Sequence, residues 1–320
     1  MNKSTVLILY SSHNAGPDVP FSSPKYQACY EALYTLGDTM GLHLCRAPLD
    51  WYSPETNQFE KTWEFVDQSW RLSGPVKPDL ILDRTRARTS DSPLRKLIIE
   101  RFLFIDDPAF TRFANNKYET SQQLPQFFKP YRKISSADEL ATFLSESDQA
   151  RVVIKPENGS GGDGVHIVLK EEALGLPLEF PVIAQEFIDS SSGIPGITST
   201  YHDLRLVFIG DELVYSYIRT PAEGSLLANL AQGGSMHIID ITALPHSLEP
   251  IIRETQRLFS SFPQKTYTID VMFDRDQRPW IIEYNTMPGM FFPPEEKAIM
   301  LRAYKRLLEE LQRAITSRQS

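Results

Sequence analysis

The sequence predicts a mixed α/β protein, with a parallel α/β domain first and an α+β region after it. Three observations point there. Short apolar runs alternate with helix-forming stretches over the first 105 or so residues, the pattern of strands joined by crossover helices. A capped helix and a glycine-rich loop then occupy the middle of the chain. Beyond Phe180, apolar runs follow one another with turn signals such as Gly210-Asp211 between them, as antiparallel hairpins require. With 320 residues the chain has room for about two or three compact units, each with its own core.

Residues 5–10, Thr-Val-Leu-Ile-Leu-Tyr, read as a buried strand. Ser23 and Pro24 open a helix through about Met40, and Gly41 stops it. A polar stretch from Trp51 to Trp70 follows, then a strand at Asp79–Asp83, a helix start at Ser92-Pro93 and a short strand at Phe102–Ile105. No G-x-G-x-x-G follows the first strand, which demotes a dinucleotide fold, although His13 and Asn14 lie beyond its carboxyl end, where ligands bind in such sheets. The next unit begins near Asp107-Pro108 with a polar helix containing Asn116 and Lys117, and Ser136-Ala-Asp-Glu139 forms a capping box. Residues 111–180 read as a small α+β lid. Strands at Val182–Ile188, Leu204–Ile209, Leu213–Ile218, Tyr267–Phe273 and Trp280–Tyr284 then predict an antiparallel sheet, and a helix from Pro294 to Ile315 closes the chain with a charged, solvated outer face. The expected divisions are 1–106, 107–185 and 186–320.

Composition narrows the function classes. A net charge of -8, from 41 acidic against 33 basic residues, argues against a general nucleic-acid surface. Two cysteines, Cys29 and Cys45, are too few to staple a chain of this length, and no Cys/His cluster has zinc spacing, so a reducing cytoplasm is the expected compartment. No run reaches the roughly 18 apolar residues of a membrane span, and no signal peptide or fixed-period repeat is expected. Assembly of identical copies stays open.

Chemistry concentrates in three places. In Arg151-Val-Val-Ile-Lys-Pro-Glu-Asn-Gly-Ser-Gly-Gly-Asp-Gly164 a buried strand carries Lys155 directly into a loop whose Gly159, Gly161, Gly162 and Gly164 let backbone close over a polyanion. The lysine precedes the glycines, so this is no Walker loop; alone, a glycine-rich hairpin beside a partly buried lysine explains it equally well. Asp270 in one strand and Glu283 and Asn285 in the next share a sheet face when the hairpin register is right, and three oxygen donors there suit magnesium. A polar, solvated hairpin face is the alternative. Arg205 and Arg219 leave neighbouring strands with forks that match phosphate or carboxylate, and Asn229 ahead of Gly233-Gly234 offers a neutral amide to a phosphoryl group. His166, His202 and His237 are read first as structural side chains, with a general base the other reading of His202 and His237.

Taken in order, Lys117 in Asn-Asn-Lys, Lys155 in Ile-Lys-Pro, the 159–164 loop, Gln185-Glu-Phe-Ile188, Asp203-Leu-Arg205, Arg219, the Asn229 to Gly234 segment, and Asp270, Glu283 and Asn285 resemble the ATP-grasp superfamily, specifically its RimK-like and glutathione-synthetase-like carboxylate–amine ligases. The resemblance covers roughly residues 107–292. It implies an N-terminal pre-ATP-grasp domain followed by a two-subdomain ATP-grasp fold, with ATP between two sheets. Lys117 and Lys155 would contact phosphates, with Gly161 and Gly162 in the loop over them. Gln185 and the backbone of Glu186, Phe187 and Ile188 would read adenine, and Asp189 would take the ribose. Asp270, Glu283 and Asn285 would bind two magnesium ions, with manganese as a substitute, and Arg205, Arg219 and Asn229 would act in catalysis. The polar Ser190–Gly193 run lengthens the loop beyond the family pattern and weakens the ribose assignment of Asp189.

The implied reaction forms an amide or peptide bond through an acyl phosphate, joining an amino acid to a peptide or small acid, with the acceptor chosen by the N-terminal domain and loops 190–201 and 221–235. A phosphotransferase acting on a hydroxyl with the same fold, and a nucleotide-binding regulator without turnover, are the competing readings.

Overall fold

The computed structural model describes residues 3–11, 19–85, 92–157, 162–226, 228 and 233–319. Contacts divide the chain into two compact units, one of Met1–Pro108, Phe262–Thr266 and Met287–Ser320, the other of Ala109–Ser261 and Tyr267–Thr286.

The first unit starts with β1 (Ser4–Tyr10), α1 (Pro24–Thr39) and β2 (Leu42–Pro48). Then come β3 (Tyr52–Ser53), β4 (Gln58–Phe59), β5 (Thr62–Val66), β6 (Ser69–Ser73), β7 (Leu80–Arg84), α2 (Pro93–Arg101) and β8 (Phe104–Ile105). The main sheet runs β6-β5-β2-β1-β7-β8. Strands β2, β1, β7 and β8 are parallel, as the alternating pattern predicts, while β5 and β6 extend the sheet antiparallel. That extension corrects the expectation for Trp51–Trp70. Its strands hid behind polar residues because β5 and β6 lie at a sheet edge, where one face is solvated. Asp67 and Gln68, both with positive φ (50° and 57°), form the two-residue turn that joins them.

The chain continues through α3 (Pro108–Asn115) and α4 (Lys117–Gln123). One polar helix was expected here. The helix breaks at Asn116, whose side chain caps α4 by accepting the N–H groups of Tyr118 and Glu119, both at 3.1 Å. Next are β9 (Tyr131–Ile134), α5 (Ala137–Glu146), β10 (Arg151–Pro156), β11 (His166–Leu169), α6 (Lys170–Ala173) and β12 (Val182–Glu186). Ser136 caps α5 as its sequence predicts, accepting from the Glu139 N–H at 3.2 Å. These strands make an antiparallel sheet ordered β11-β10-β12-β9. Strand β12 therefore pairs with the glycine-loop strand and not with the later sheet, because its inner residues fill the core of Ile134, Leu140, Phe143, Val152 and Ile154.

Strands β13 (Asp203–Ile209), β14 (Glu212–Thr220) and β15 (Ser235–Ile239), helix α7 (Glu249–Leu258), and β16 (Thr266–Phe273) and β17 (Pro279–Asn285) complete the second unit. The five-stranded sheet is ordered β15-β14-β13-β16-β17. Its apolar face is cemented by aromatic rings. Phe208 stacks on Tyr267 at 4.8 Å, and Phe110 and Phe259 meet Tyr267 and each other edge to face. Such pairs add about 0.5–1.5 kcal/mol each beyond burial.

Helix α8 (Lys297–Gln319) belongs with the first unit, although the sequence division placed it in 186–320. Its outer face is charged, but Ala303, Tyr304, Leu307, Leu308 and Leu311 are buried. Gly37 of α1 makes the approach possible: a Cβ there would lie 2.8 Å from Leu44 Cδ1 and 3.4 Å from Leu308 Cδ2. Among the described residues no helix is long and apolar enough to cross a membrane.

Candidate active site

Within the second unit a cleft of about 940 Å3, counting its open mouth, lies between the four-stranded and five-stranded sheets. Lys117, Lys155, Gly162, Gln185, Glu186, Phe187, Ile188, Asp203 and Glu283 all line it. Val153, Ile167, Met272 and Ile282 supply apolar walls, giving a mostly apolar slot with a few charged groups.

Lys155 sits on β10 and is 5% exposed. Its Nζ donates to Gln185 Oε1 at 2.9 Å and stands 4.9 Å from the Tyr131 ring centroid. Burial pulls its pKa down to about 8, with Glu283 opposing and Lys117 reinforcing that pull. Gln185 is buried too, and among the described residues its Nε2 has no hydrogen-bond partner. Lys117 opens α4, is 7% exposed, and pairs with Glu283 Oε2 at 3.3 Å. The Asn116 cap thus places Lys117 at the head of a helix from which it reaches β17.

Strands β16 and β17 pair Asp270 with Glu283 and Thr268 with Asn285. A bulge after Asp270 shifts the register, so that Val271 faces Ile281 and the extra Ile282 reaches the cleft wall. Asn285 Nδ2 donates to Glu283 Oε1 at 3.1 Å. Asp270 lies deeper, 1% exposed. Arg205 grips it with two bonds, Nε to Oδ1 at 2.6 Å and Nη2 to Oδ2, while Arg219 Nη2 reaches Oδ2 at 2.8 Å. Burial pushes the Asp270 carboxyl up, but Arg205 and Arg219 outweigh it and hold the group below the usual carboxylate range. Arg219 is shared with Asp203, which burial pushes up to about 6 against the pull of Arg219.

These donors suit a hard divalent cation in kind, being two carboxylates and a carboxamide on adjoining strands. Glu283 already faces Lys117, and Asp270 faces two arginines, so an entering cation shares those oxygens with fixed positive charges. Among the described residues no group of three or more His, Cys, Asp or Glu side chains is placed to hold a metal. The set therefore depends on Asn285.

Other expected site residues are not brought to the cleft. Asp189 pairs with Arg275 at 2.9 Å and accepts the Ser191 N–H at 3.1 Å, and it is not among the cleft's lining residues. The β16–β17 turn carries Arg275, and its charge holds the carboxylate there. Arg205 and Arg219 are not among the cleft's lining residues; they share the sheet face of Asp203, in contact with Asp270. Gly161 and Asn229, like His13 and Asn14, lie outside the described residues. His202 is structural: Nε2 accepts the Phe273 N–H at 3.1 Å, leaving Nδ1 to donate to the Thr200 carbonyl at 3.1 Å. Burial lowers its pKa, which keeps it neutral. Asp203 was not expected to face the cleft, yet the Asp-Leu-Arg spacing was a usable signal, since residues two apart in a strand share a face.

The family model of the RimK-like ATP-grasp domain matches residues 116–309. The chain belongs to the RimK-like ATP-grasp family. Among curated relatives it is 28% identical over 145 residues to a D-alanine--D-alanine ligase from Synechococcus sp., covering 43% of this chain and 42% of the relative. It is also 28% identical over 159 residues to a probable alpha-L-glutamate ligase from Nitrosococcus oceani, covering 48% of each. The chain spans about half the length of the curated relatives it matches. Among solved structures, an ATP-grasp ligase from Chryseobacterium gregarium, RiPP-associated and in complex with ADP and a leader and core peptide, superposes with a TM-score of 0.63 at 16% identity over 96% of both chains. D-alanyl-alanine synthetase A from Vibrio cholerae gives a TM-score of 0.63 at 15% identity over 99% of this chain and 98% of that one. At such identities these likenesses establish the ATP-grasp fold of this family member.

Proposed function

We propose that this protein is an ATP-dependent carboxylate–amine ligase that forms an amide or peptide bond through an acyl phosphate, joining an amino acid to a peptide or small acid. The observation that carries the reading is the convergence of Lys117, Lys155 and Glu283 in an apolar cleft that the 185–188 segment also lines. Residues 107–185 would form the lid over the nucleotide and the strands between 203 and 285 the metal-bearing side, with substrate choice falling to residues 1–106.

In this reading adenine occupies the apolar slot beside the backbone of Glu186 to Ile188, with Gln185 holding Lys155 in place. Lys117 and Lys155 bind and orient the phosphates as compact point charges. Glu283, Asn285 and Asp270 would hold two magnesium ions, which would supply charge neutralisation to phosphate oxygens. A substrate carboxylate oxygen attacks the γ-phosphorus, ADP leaves with the bonding pair, and an acyl phosphate forms. The amine nitrogen then attacks the acyl carbon and inorganic phosphate departs, while the amine gives up a proton. Arg205 and Arg219 set the field on this face through Asp270 and Asp203, and such preorganised charge does the stabilising work without covalent participation by the protein. Closure of the lid would exclude water from the acyl phosphate.

Product analysis tests the proposal. Incubation with Mg-ATP and a panel of amino acids and short peptides should yield ADP, free phosphate and an amide detected by mass spectrometry only when carboxylate and amine are both present. A phosphorylated product without free phosphate would make the protein a phosphotransferase, and nucleotide binding without turnover across the panel would make it a regulator.

A further inference from the structure

The carboxyl end of β2 in the first unit carries a charge that no carboxylate among the described residues pairs with. Arg46 carries it and is 4% exposed. Its guanidinium lies between rings, 3.5 Å from the centroid of Phe21 and 4.1 Å from that of Tyr10, with Tyr30 at 5.4 Å. Aromatic rings thus surround it and the Tyr10 hydroxyl accepts a hydrogen bond from it, while Arg46 Nε and Nη1 are buried without a hydrogen-bond partner among the described residues.

Two more polar atoms in this region are in the same condition. Trp63 on β5 is the direct cross-strand partner of Arg46, so the two side chains share a sheet face, and its Nε1 is buried and unpaired. Helix α1 packs on that face, since Leu44, two residues before Arg46, lies against Gly37. The same helix brings Tyr34, whose hydroxyl is also buried and unpaired. Burial draws down the pKa of Arg46, and the groups that oppose it are the phenols of Tyr34, Tyr30 and Tyr10, none of them a carboxylate. A folded protein satisfies nearly all its buried polar groups, and four unpaired donor atoms, two of them on the cation itself, call for an acceptor that the described residues do not provide. An apolar residue of similar volume would be at least as stable in such a place.

We propose that Arg46, with Tyr34 and Trp63, binds the carboxylate of a small organic acid in the first unit. One positive charge with two neutral donors matches a monoanion better than a doubly charged phosphate, and the enclosing Tyr10, Phe21 and Tyr30 rings suit an acid with an apolar body. The inference stands on the first unit alone and does not depend on the cleft assignment.

The test is thermal unfolding of the full chain without nucleotide, in sodium benzoate, sodium acetate, sodium phosphate or sodium chloride at matched ionic strength. The melting temperature of the native protein should rise with benzoate concentration, less with acetate, and not with phosphate or chloride. Arg46→Met should melt no lower than the native protein in chloride and should lose the benzoate response, with apparent affinity down at least tenfold. Tyr34→Phe and Trp63→Phe, milder changes, should each weaken the response severalfold and serve if Arg46→Met does not fold. An equal response in native protein and these variants, no response to either carboxylate, or a phosphate response matching benzoate would overturn the assignment.

Discussion

Nucleotide binding should take up a proton near pH 8, and Lys155 is the group that takes it. In the free protein, burial holds its pKa at about 8, Glu283 and Lys117 acting in opposite directions on what remains. A triphosphate placed against the ammonium raises that pKa, so binding and protonation favour each other. From a pKa of about 8, roughly nine-tenths of Lys155 is charged at pH 7 and about one-tenth at pH 9. If only the charged form binds, affinity falls about tenfold over that interval, close to 1.4 kcal/mol. Titration calorimetry in buffers of different ionisation enthalpy measures the uptake directly: about half a proton per nucleotide at pH 8, rising towards one at pH 9. Lys155→Met should bind more weakly at pH 7 and take up none. An affinity that is flat from pH 7 to 9, or uptake that survives in the variant, would refute the assignment of Lys155 to the phosphates. The same shift acts on folding. A lysine whose folded pKa lies below its ordinary 10.5 contributes stability above pH 10.5, and that contribution is lost as pH falls through about 8. The ligand-free protein therefore carries the full cost of this buried charge at neutral pH, and nucleotide removes it.

Glu283→Ala should cut magnesium-dependent turnover by about a hundredfold or more, while nucleotide without metal still binds, because Lys117 and Lys155 remain; steady-state rates across a magnesium titration check this, and retained turnover would make the metal assignment wrong. Arg219→Ala removes the cation shared by Asp203 and Asp270 and should cost about 3–5 kcal/mol by denaturant unfolding, with nucleotide affinity little changed because Arg219 is not among the residues that line the cleft. Asp203, already raised to about 6, rises further without its arginine. A carboxyl raised in the folded state costs stability above its folded pKa, so the deficit of this variant should shrink as pH is lowered from 8 to 5. Gly193→Ala should destabilise the 190–201 loop by about 1–3 kcal/mol, seen as a lower melting temperature. Gly193 has φ +67°, and a Cβ there would lie 2.0 Å from the Thr198 carbonyl oxygen.

Much of this architecture is legible in the sequence where one physical signal acts alone. Strand β1 is an unbroken apolar run, α1 starts at a proline and stops before a glycine, and Ser136 caps α5. Reading failed where two signals compete. The 51–70 segment looks polar because its strands bury only one side, and Asn116 looks like one more polar residue in a helix until its side chain is seen to accept two N–H groups. Strand β12 carries no mark of which sheet it joins, since its apolar residues would serve either. At the site, Lys117, Lys155 and Glu283 were visible as residue types in a recurring order. The capture of Asp189 by Arg275 was not, because it depends on where a turn 86 residues later comes to rest.

The arrangement of charge around Asp270 follows from strand period alone. Asp203 and Arg205 are two apart on β13, so both leave the same face, and register sets Arg219 opposite Asp203 and Tyr217 opposite Arg205. Asp270 comes to that face from β16, the neighbouring strand, and Glu283 stands directly across from it on β17. Leu204 and Leu206, on the other face, are fully buried. A slip of one residue in β13 would drive Asp203 and Arg205 into the apolar core and bring leucines to the site, so the core enforces the polar register. The arginines are consequently fixed before any ligand arrives: Arg205 is held by two bonds to Asp270, and Arg219 lies between two carboxylates. Their ordering is settled when the chain folds and is not charged against substrate binding, which is the condition under which fixed dipoles and ions stabilise a developing charge most effectively.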